Sequence, residues 1–164
     1  MSDLIATAPV PRGTAPDSAP VEPVIPGDGW YPDIDMRHAR AALRLLDGTV
    51  TDARLVDALL EAIAHTRDVL RDWRATQESK GATGLDGTDA ARVGTENIQI
   101  QRYRRAVYGW ALALLVERYR GYDTSRDGMR RADAIDNVSD EARRDAYWAL
   151  SDLMKRRRVT VDLI

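Results

Sequence analysis

Two histidines, an acidic turn, a glycine-rich loop and two clusters of arginine are the places in this 164-residue chain where side-chain chemistry could reside. His38 and His65 fall on different predicted helices, and neither has a second histidine at the spacing that puts two metal ligands on one helical face. Both read as surface residues. The run from Asp123 to Gly128 imitates the opening of a calcium-binding loop, but Ala134 stands where the loop needs a bidentate Glu. A helix-capping turn is the simpler reading. Gly81, Gly84, Gly87 and Gly94 mark a loop between Ser79 and Thr95, and no Lys-Ser or Lys-Thr follows them to cradle a phosphate. Carboxylates are interleaved with arginines at helical spacing, the pattern of solvated faces and not of an acid and base tuned apart. No catalytic residue, metal ligand or cofactor-binding residue is assigned, and an enzyme is not expected.

The arginine clusters carry the strongest alternative signal. Arg102, Arg104 and Arg105, and then Lys155, Arg156, Arg157 and Arg158, are dense enough to touch phosphates. The second cluster occupies consecutive positions, which spread around a helix, and cations at a helix C-terminus also have a purely structural use. Lys and Arg together number 24 against 26 Asp and Glu, a net charge of -2, so no overall positive field favours nucleic acid.

These residues must be positioned by helices. Asp33 or Asp35 caps a first helix carrying Ala39, Ala42, Leu43 and Leu46, which Gly48 stops. Thr51 and Asp52 open a second, in which Leu55, Leu59, Ile63, Leu70 and Trp73 recur at steps of three and four to about Thr76. A third is expected from Thr95, with Glu96 in its first turn, through Tyr103, Val107, Trp110 and Leu114 to Gly121. It is apolar almost all round from Val107 to Val116, so it occupies the middle of a bundle or is covered by another subunit. A fourth begins after Asp127 with Ile135, Val138, Ala142, Ala149 and Leu153 on one stripe, and a bend is expected near Asn137 to Ser139. Beyond Arg158 the period changes to two, with Val159, Val161 and Leu163 alternating against Thr160, Asp162 and Ile164. Such a strand either adds to a partner's sheet edge or packs on its own bundle as a frayed end.

The expected architecture is therefore all-α. A small bundle of about four helices spans 31–157, preceded by an extended arm at 1–30 and followed by a strand tail at 158–164. All seven prolines lie within the first 32 residues. At about 3 Å per residue a polyproline-like arm reaches tens of ångströms, either without a partner or to order on a neighbouring subunit. Cysteine is absent, which removes disulfides and thiolate chemistry, and points to an intracellular origin. No apolar run approaches a membrane span, and no basic start precedes an apolar stretch, so neither a membrane protein nor a secreted one is expected.

Several phrases taken together point further. Tyr31-Pro-Asp-Ile-Asp35, Leu46-Asp-Gly-Thr-Val50, Tyr103-Arg-Arg-Ala-Val-Tyr108, Glu117-Arg-Tyr-Arg120, Trp148-Ala-Leu-Ser-Asp152 and Val159-Thr-Val-Asp-Leu-Ile164 stand in an order that resembles the gpL-type head completion, or head stabilisation, proteins of temperate contractile-tailed phages. The resemblance covers about residues 30 to 164. The arm before Trp30 is longer than that pattern, and the Ser79 to Thr95 loop lacks its Val-Pro phrase. The resemblance implies a virion protein, made in the host bacterial cytoplasm. It would be added after DNA packaging, close the filled head and provide a platform for the tail. It implies the portal protein as partner, bound through Arg156, Arg157, Arg158, Val159, Val161, Leu163 and Ile164. Self-association in a ring of about twelve copies would use Tyr103, Tyr108, Trp110 and Tyr119. A tail-side connector or tail terminator protein would lie beyond, with packaged DNA in the lumen. The alternative function is a DNA-contacting protein that protects or retains the genome end.

Overall fold

The computed structural model describes residues 24–45, 50–120 and 126–157, with the side chains of 119–120 and 126–136 outside that description. The chain enters through a two-residue strand, β1 (Val24–Ile25), paired antiparallel with β2 (Ile34–Asp35). Between them the Asp28 carboxylate accepts from the N–H groups of Trp30, at 3.1 Å, and Tyr31, at 2.8 Å, turning the chain inward. Helix α1 (Met36–Ala42) follows at once. Asp35 caps it by accepting from Arg37 N–H at 2.7 Å and His38 N–H at 3.1 Å. It ends in a Schellman turn, with Leu45 N–H on the Arg40 carbonyl and Arg44 N–H on that of Ala41. Arg44 occupies the left-handed position of this turn, at φ 53°. Arg40 then ties α1 to what comes after 46–49, donating to the Val50 carbonyl at 2.9 Å and pairing with Asp52 at 2.6 Å.

Helix α2 (Asp52–Val69), capped by Thr51, buries Leu55, Ala58, Leu59, Ala62, Ile63 and Thr66 on one face. The single helix expected to run to about Thr76 is divided. Leu70 ends α2 and begins α3 (Arg71–Ser79), and its side chain is fully buried at the junction. After a 3-10 turn at Leu85–Thr88, β3 (Arg92–Val93) and β4 (Glu96–Asn97) form a small antiparallel hairpin. Gly94 makes its tight turn from the left-handed region, at φ 64°. Glu96 is therefore a strand residue, which corrects its expected place in a helical first turn. Helix α4 (Ile98–Arg120) starts two residues later because Asn97 caps it. The Asn97 amide oxygen accepts from Gln99 N–H at 2.8 Å, while its nitrogen donates to the carbonyls of Asp86 and Asp89. Helix α5 (Arg126–Leu153) runs without interruption through Asn137 to Ser139, where a bend was expected.

Helix α4 lies between α2 and α5 and runs antiparallel to both. Arg67 donates to the Tyr103 hydroxyl near one end of α2, and Asp57 pairs with Arg118 near the other. Gln99 donates to the Leu153 carbonyl, while Glu117, far along α4, meets Arg143 and Ser139. The all-round apolar stretch of α4 is thus explained largely within one chain: Val107, Ala111, Ala113 and Leu115 are buried between the two flanking helices. Close approach to α5 depends on small residues. A Cβ at Gly109 would sit 2.8 Å from the Ala142 carbonyl oxygen and 3.0 Å from the Ala146 Cβ.

The boundary of the expected arm also moves. Trp30 and Tyr31 are 6% and 3% exposed. Trp30 meets Tyr31 edge-on at 4.6 Å and Trp73 at 6.0 Å, and Tyr31 stacks on Tyr103 at 4.8 Å. Arg74 lies over both rings of the pair and bonds Asp28 at 2.6 Å. Trp30 and Tyr31 are accordingly packed into the bundle, because burial of two large rings outweighs the extended bias of the prolines beside them. The mainly helical class agrees with expectation, with five α-helices among the described residues. The expected strand tail at 158–164 lies outside the described residues.

Candidate interaction surfaces

The end of α5 exposes a basic, aromatic surface. Lys155 N–H bonds the Asp152 carbonyl and Arg156 N–H bonds that of Ser151 at 2.8 Å, so a second Schellman turn closes the helix. Lys155 holds its left-handed position, at φ 56°, and its ammonium reaches Asp89 at 3.1 Å. This turn directs Arg156 and Arg157 along the last turns of α5. Together with Arg144, Tyr147, Trp148 and Met154, and with Val69 from α2, they line a groove of about 630 Å³. Leu150 forms part of its floor and is 1% exposed. Arg144 lies over the Trp148 ring, 5.0 Å from its centre. The groove wall contains three guanidinium groups and no carboxylate. Of the expected portal-binding residues, Arg156 and Arg157 are here; Arg158, Val159, Val161, Leu163 and Ile164 lie outside the described residues.

The other arginine cluster is used internally. Arg104 pairs with Glu96, Arg105 lies 3.7 Å from Asp145, and Arg102 donates to the Gln99 side chain at 3.2 Å. Its charge is largely offset where it arises. The aromatic residues expected at a subunit interface separate as well. Tyr103 is fully enclosed, stacked on Tyr31, and has no surface to offer a neighbour. Tyr108 is 6% exposed; burial pushes its hydroxyl up to about 12, and that neutral hydroxyl meets His38 Nδ1 at 2.8 Å. Both rings are assigned to this chain's own packing, because α4 is flanked on two sides. Trp110 is half-buried, between His65 at 4.1 Å and the exposed ring of Tyr147 at 5.2 Å. The Tyr119 side chain is outside the described residues.

A second groove of about 510 Å³ lies where α1 and the hairpin meet α4 and α5. His38, Glu96, Arg104, Arg105 and Asp145 border it, so its charges are mixed and mutually paired. Asp28 lies apart from this groove, in the turn before Trp30. Burial opposes its ionisation, but the Tyr31 N–H, the Arg74 guanidinium, the field of Arg67 and the Trp30 N–H together hold its carboxyl down at about 2. Among the described residues no group of three or more His, Cys, Asp or Glu side chains is arranged to hold a metal ion. No described helix is long and apolar enough to cross a membrane.

Residues 25–164 match the family model described as phage head completion protein (GPL). The chain is 38% identical over 149 residues to the head completion/stabilization protein of Escherichia phage P2, across 91% of this chain and 88% of that relative. The chain belongs to the phage head completion protein family. No solved structure matches it. Its role is accordingly a structural one in completing a phage head.

For a head completion protein the informative chemistry lies in exposed surface. Arg144, Tyr147 and Trp148 were not singled out as binding residues from the sequence. A signal for them exists: Arg144 and Trp148 stand four residues apart on a helix, off the stripe of Ala142, Ala149 and Leu153 that faces the core.

Proposed function

We propose that this head completion protein is a virion adaptor that acts by binding and not by catalysis. It binds the portal after the genome is packaged, closes the filled head and offers the tail side a platform. The observation that carries this reading is the end of α5. The described chain leaves the bundle there through Arg156 and Arg157, beside an exposed aromatic groove, and leads into the alternating Val159, Val161 and Leu163 of the sequence. A basic lead-in steers association, and an alternating apolar segment suits addition to a sheet edge, the backbone supplying affinity and alternate side chains supplying specificity. Self-association in a ring of about twelve copies fits a portal template. Of the aromatic residues expected at that contact, Tyr103 is enclosed and supplies none.

Deleting residues 159–164 tests the portal contact. Circular dichroism should report an unchanged helical bundle, while capture by the portal protein of the same phage is lost. Undiminished capture would remove this segment from the interface. A second reading, contact with the packaged DNA end, draws on Arg156 and Arg157, which pair with no carboxylate among the described residues. It requires duplex binding whose affinity falls steeply with salt.

A further inference from the structure

We propose that the groove at the end of α5 is a docking site for an acidic, apolar segment of a partner protein; this rests on the adaptor reading and adds the chemistry of what is bound. The argument begins with charge. Elsewhere on the bundle Arg40, Arg74, Arg104, Arg118 and Arg143 each meet a carboxylate of the same chain. Arg144, Arg156 and Arg157 meet none among the described residues, and all three are exposed along one groove whose wall has no acidic side chain. In a chain of net charge -2, this is a local excess of cation held in place by a helix end. Two features fix the geometry: Arg144 is seated on the Trp148 ring, and the Lys155 turn, anchored to Asp89, sets the direction of Arg156 and Arg157.

The floor decides between two anionic partners. Met154 and Val69 present apolar surface beside the cations, over the buried Leu150, with Val69 38% exposed and Tyr147 50% exposed. A phosphodiester backbone gains nothing from an apolar floor and would lose hydration over it. A polypeptide segment that mixes carboxylates with apolar side chains satisfies both parts: its acids pair with the guanidinium groups, which suit planar bidentate contact, and its apolar residues cover the floor. The volume, about 630 Å³, lies within the range of sites that enclose compact ligands or a few side chains.

The test uses the full chain in assembled particles. Tyr147 is replaced by the photocrosslinker p-benzoylphenylalanine, filled heads are irradiated, and the crosslinked species is sequenced by mass spectrometry. The expected product is a segment of a different head or tail protein carrying Asp or Glu beside apolar residues. Its yield should fall at least tenfold when Arg144→Glu and Arg157→Glu are introduced together, with the thermal melt of the bundle unchanged. Crosslinks to DNA, to a second copy of this chain or to a basic segment would overturn the proposal. So would an acidic segment whose yield ignores the charge reversal, or the absence of any crosslink in particles shown to contain the protein. Portal capture by the Tyr147-substituted chain without the charge reversal separates the two readings. Capture with no acidic crosslink leaves the adaptor standing and removes the groove; loss of capture by the unreversed chain removes the adaptor itself.

Discussion

Asp28 and Gly109 are the residues whose types matter most to the bundle. Asp28 organises the turn that brings Trp30 and Tyr31 inward, and its carboxyl is held at about 2 against an ordinary 3.8. A carboxyl lowered by folding stabilises the fold above its unfolded value, and that contribution is lost as pH falls from about 4 toward 2. Asp28→Asn should therefore lower the melting temperature at pH 7, and the gap to the wild type should close as pH is brought down through that window. A gap that persisted unchanged to pH 2 would mean that the charge of Asp28 is not what the turn uses. Gly109 makes a different prediction. In an open helix Gly→Ala gains about 1 kcal/mol from propensity. Here the new methyl would meet the Ala142 carbonyl oxygen at 2.8 Å, and backbone cannot swing aside. Gly109→Ala should reverse the sign, destabilising by about 1–3 kcal/mol in chemical denaturation. A stabilised variant would show that α4 and α5 do not pack this closely.

At the scale of elements, periodicity made the long helices legible and little else. Leu55, Leu59 and Ile63 repeat often enough to declare α2, and Asp35 and Thr51 are caps whose chemistry is local. The break at Leu70 left no mark because Leu70 continues the apolar pattern across the junction of the two helices. The hairpin of β3 and β4 has two residues per strand, too few for an alternation to register, and Arg92 and Val93 are both exposed. Asn97 was missed as a cap because Thr95 and Glu96 form an equally good local start; contacts with Asp86 and Asp89 decide between them. Trp30 was hidden by the prolines around it, since Trp73, whose ring it meets, lies far along the chain. The Schellman turn after α1 offers a test at this scale. Arg44 adopts φ 53°, a conformation that glycine reaches without strain. Arg44→Gly should stabilise the protein by about 1 kcal/mol, read from the shift of a urea transition; destabilisation would imply that the Arg44 side chain makes a contact worth more than the strain.

At the scale of the molecule, a three-helix core with α4 in the middle carries grooves on its described surface, and two of them differ in kind. The face bordered by His38 and Tyr108 has its charges matched internally. The end of α5 does not, and there two of the expected binding residues, Arg156 and Arg157, stand beside the aromatic residues Tyr147 and Trp148. The candidate site was thus partly legible: Arg156 and Arg157 were visible as a charge run, Arg144 and Tyr147 join them along α5, and Val69 is brought to the groove only by the fold. Tyr103 and Tyr108 are buried within this chain, and a helix apolar on every side looks the same in sequence whether its second neighbour is in its own chain or another.

The most direct measurement is native mass spectrometry of the purified protein, alone and mixed with the portal protein from the same phage. The adaptor role predicts a defined complex in which several copies of this chain share one portal assembly, with a fixed stoichiometry near one copy per portal subunit. No complex at any salt concentration, with both proteins folded, would contradict it.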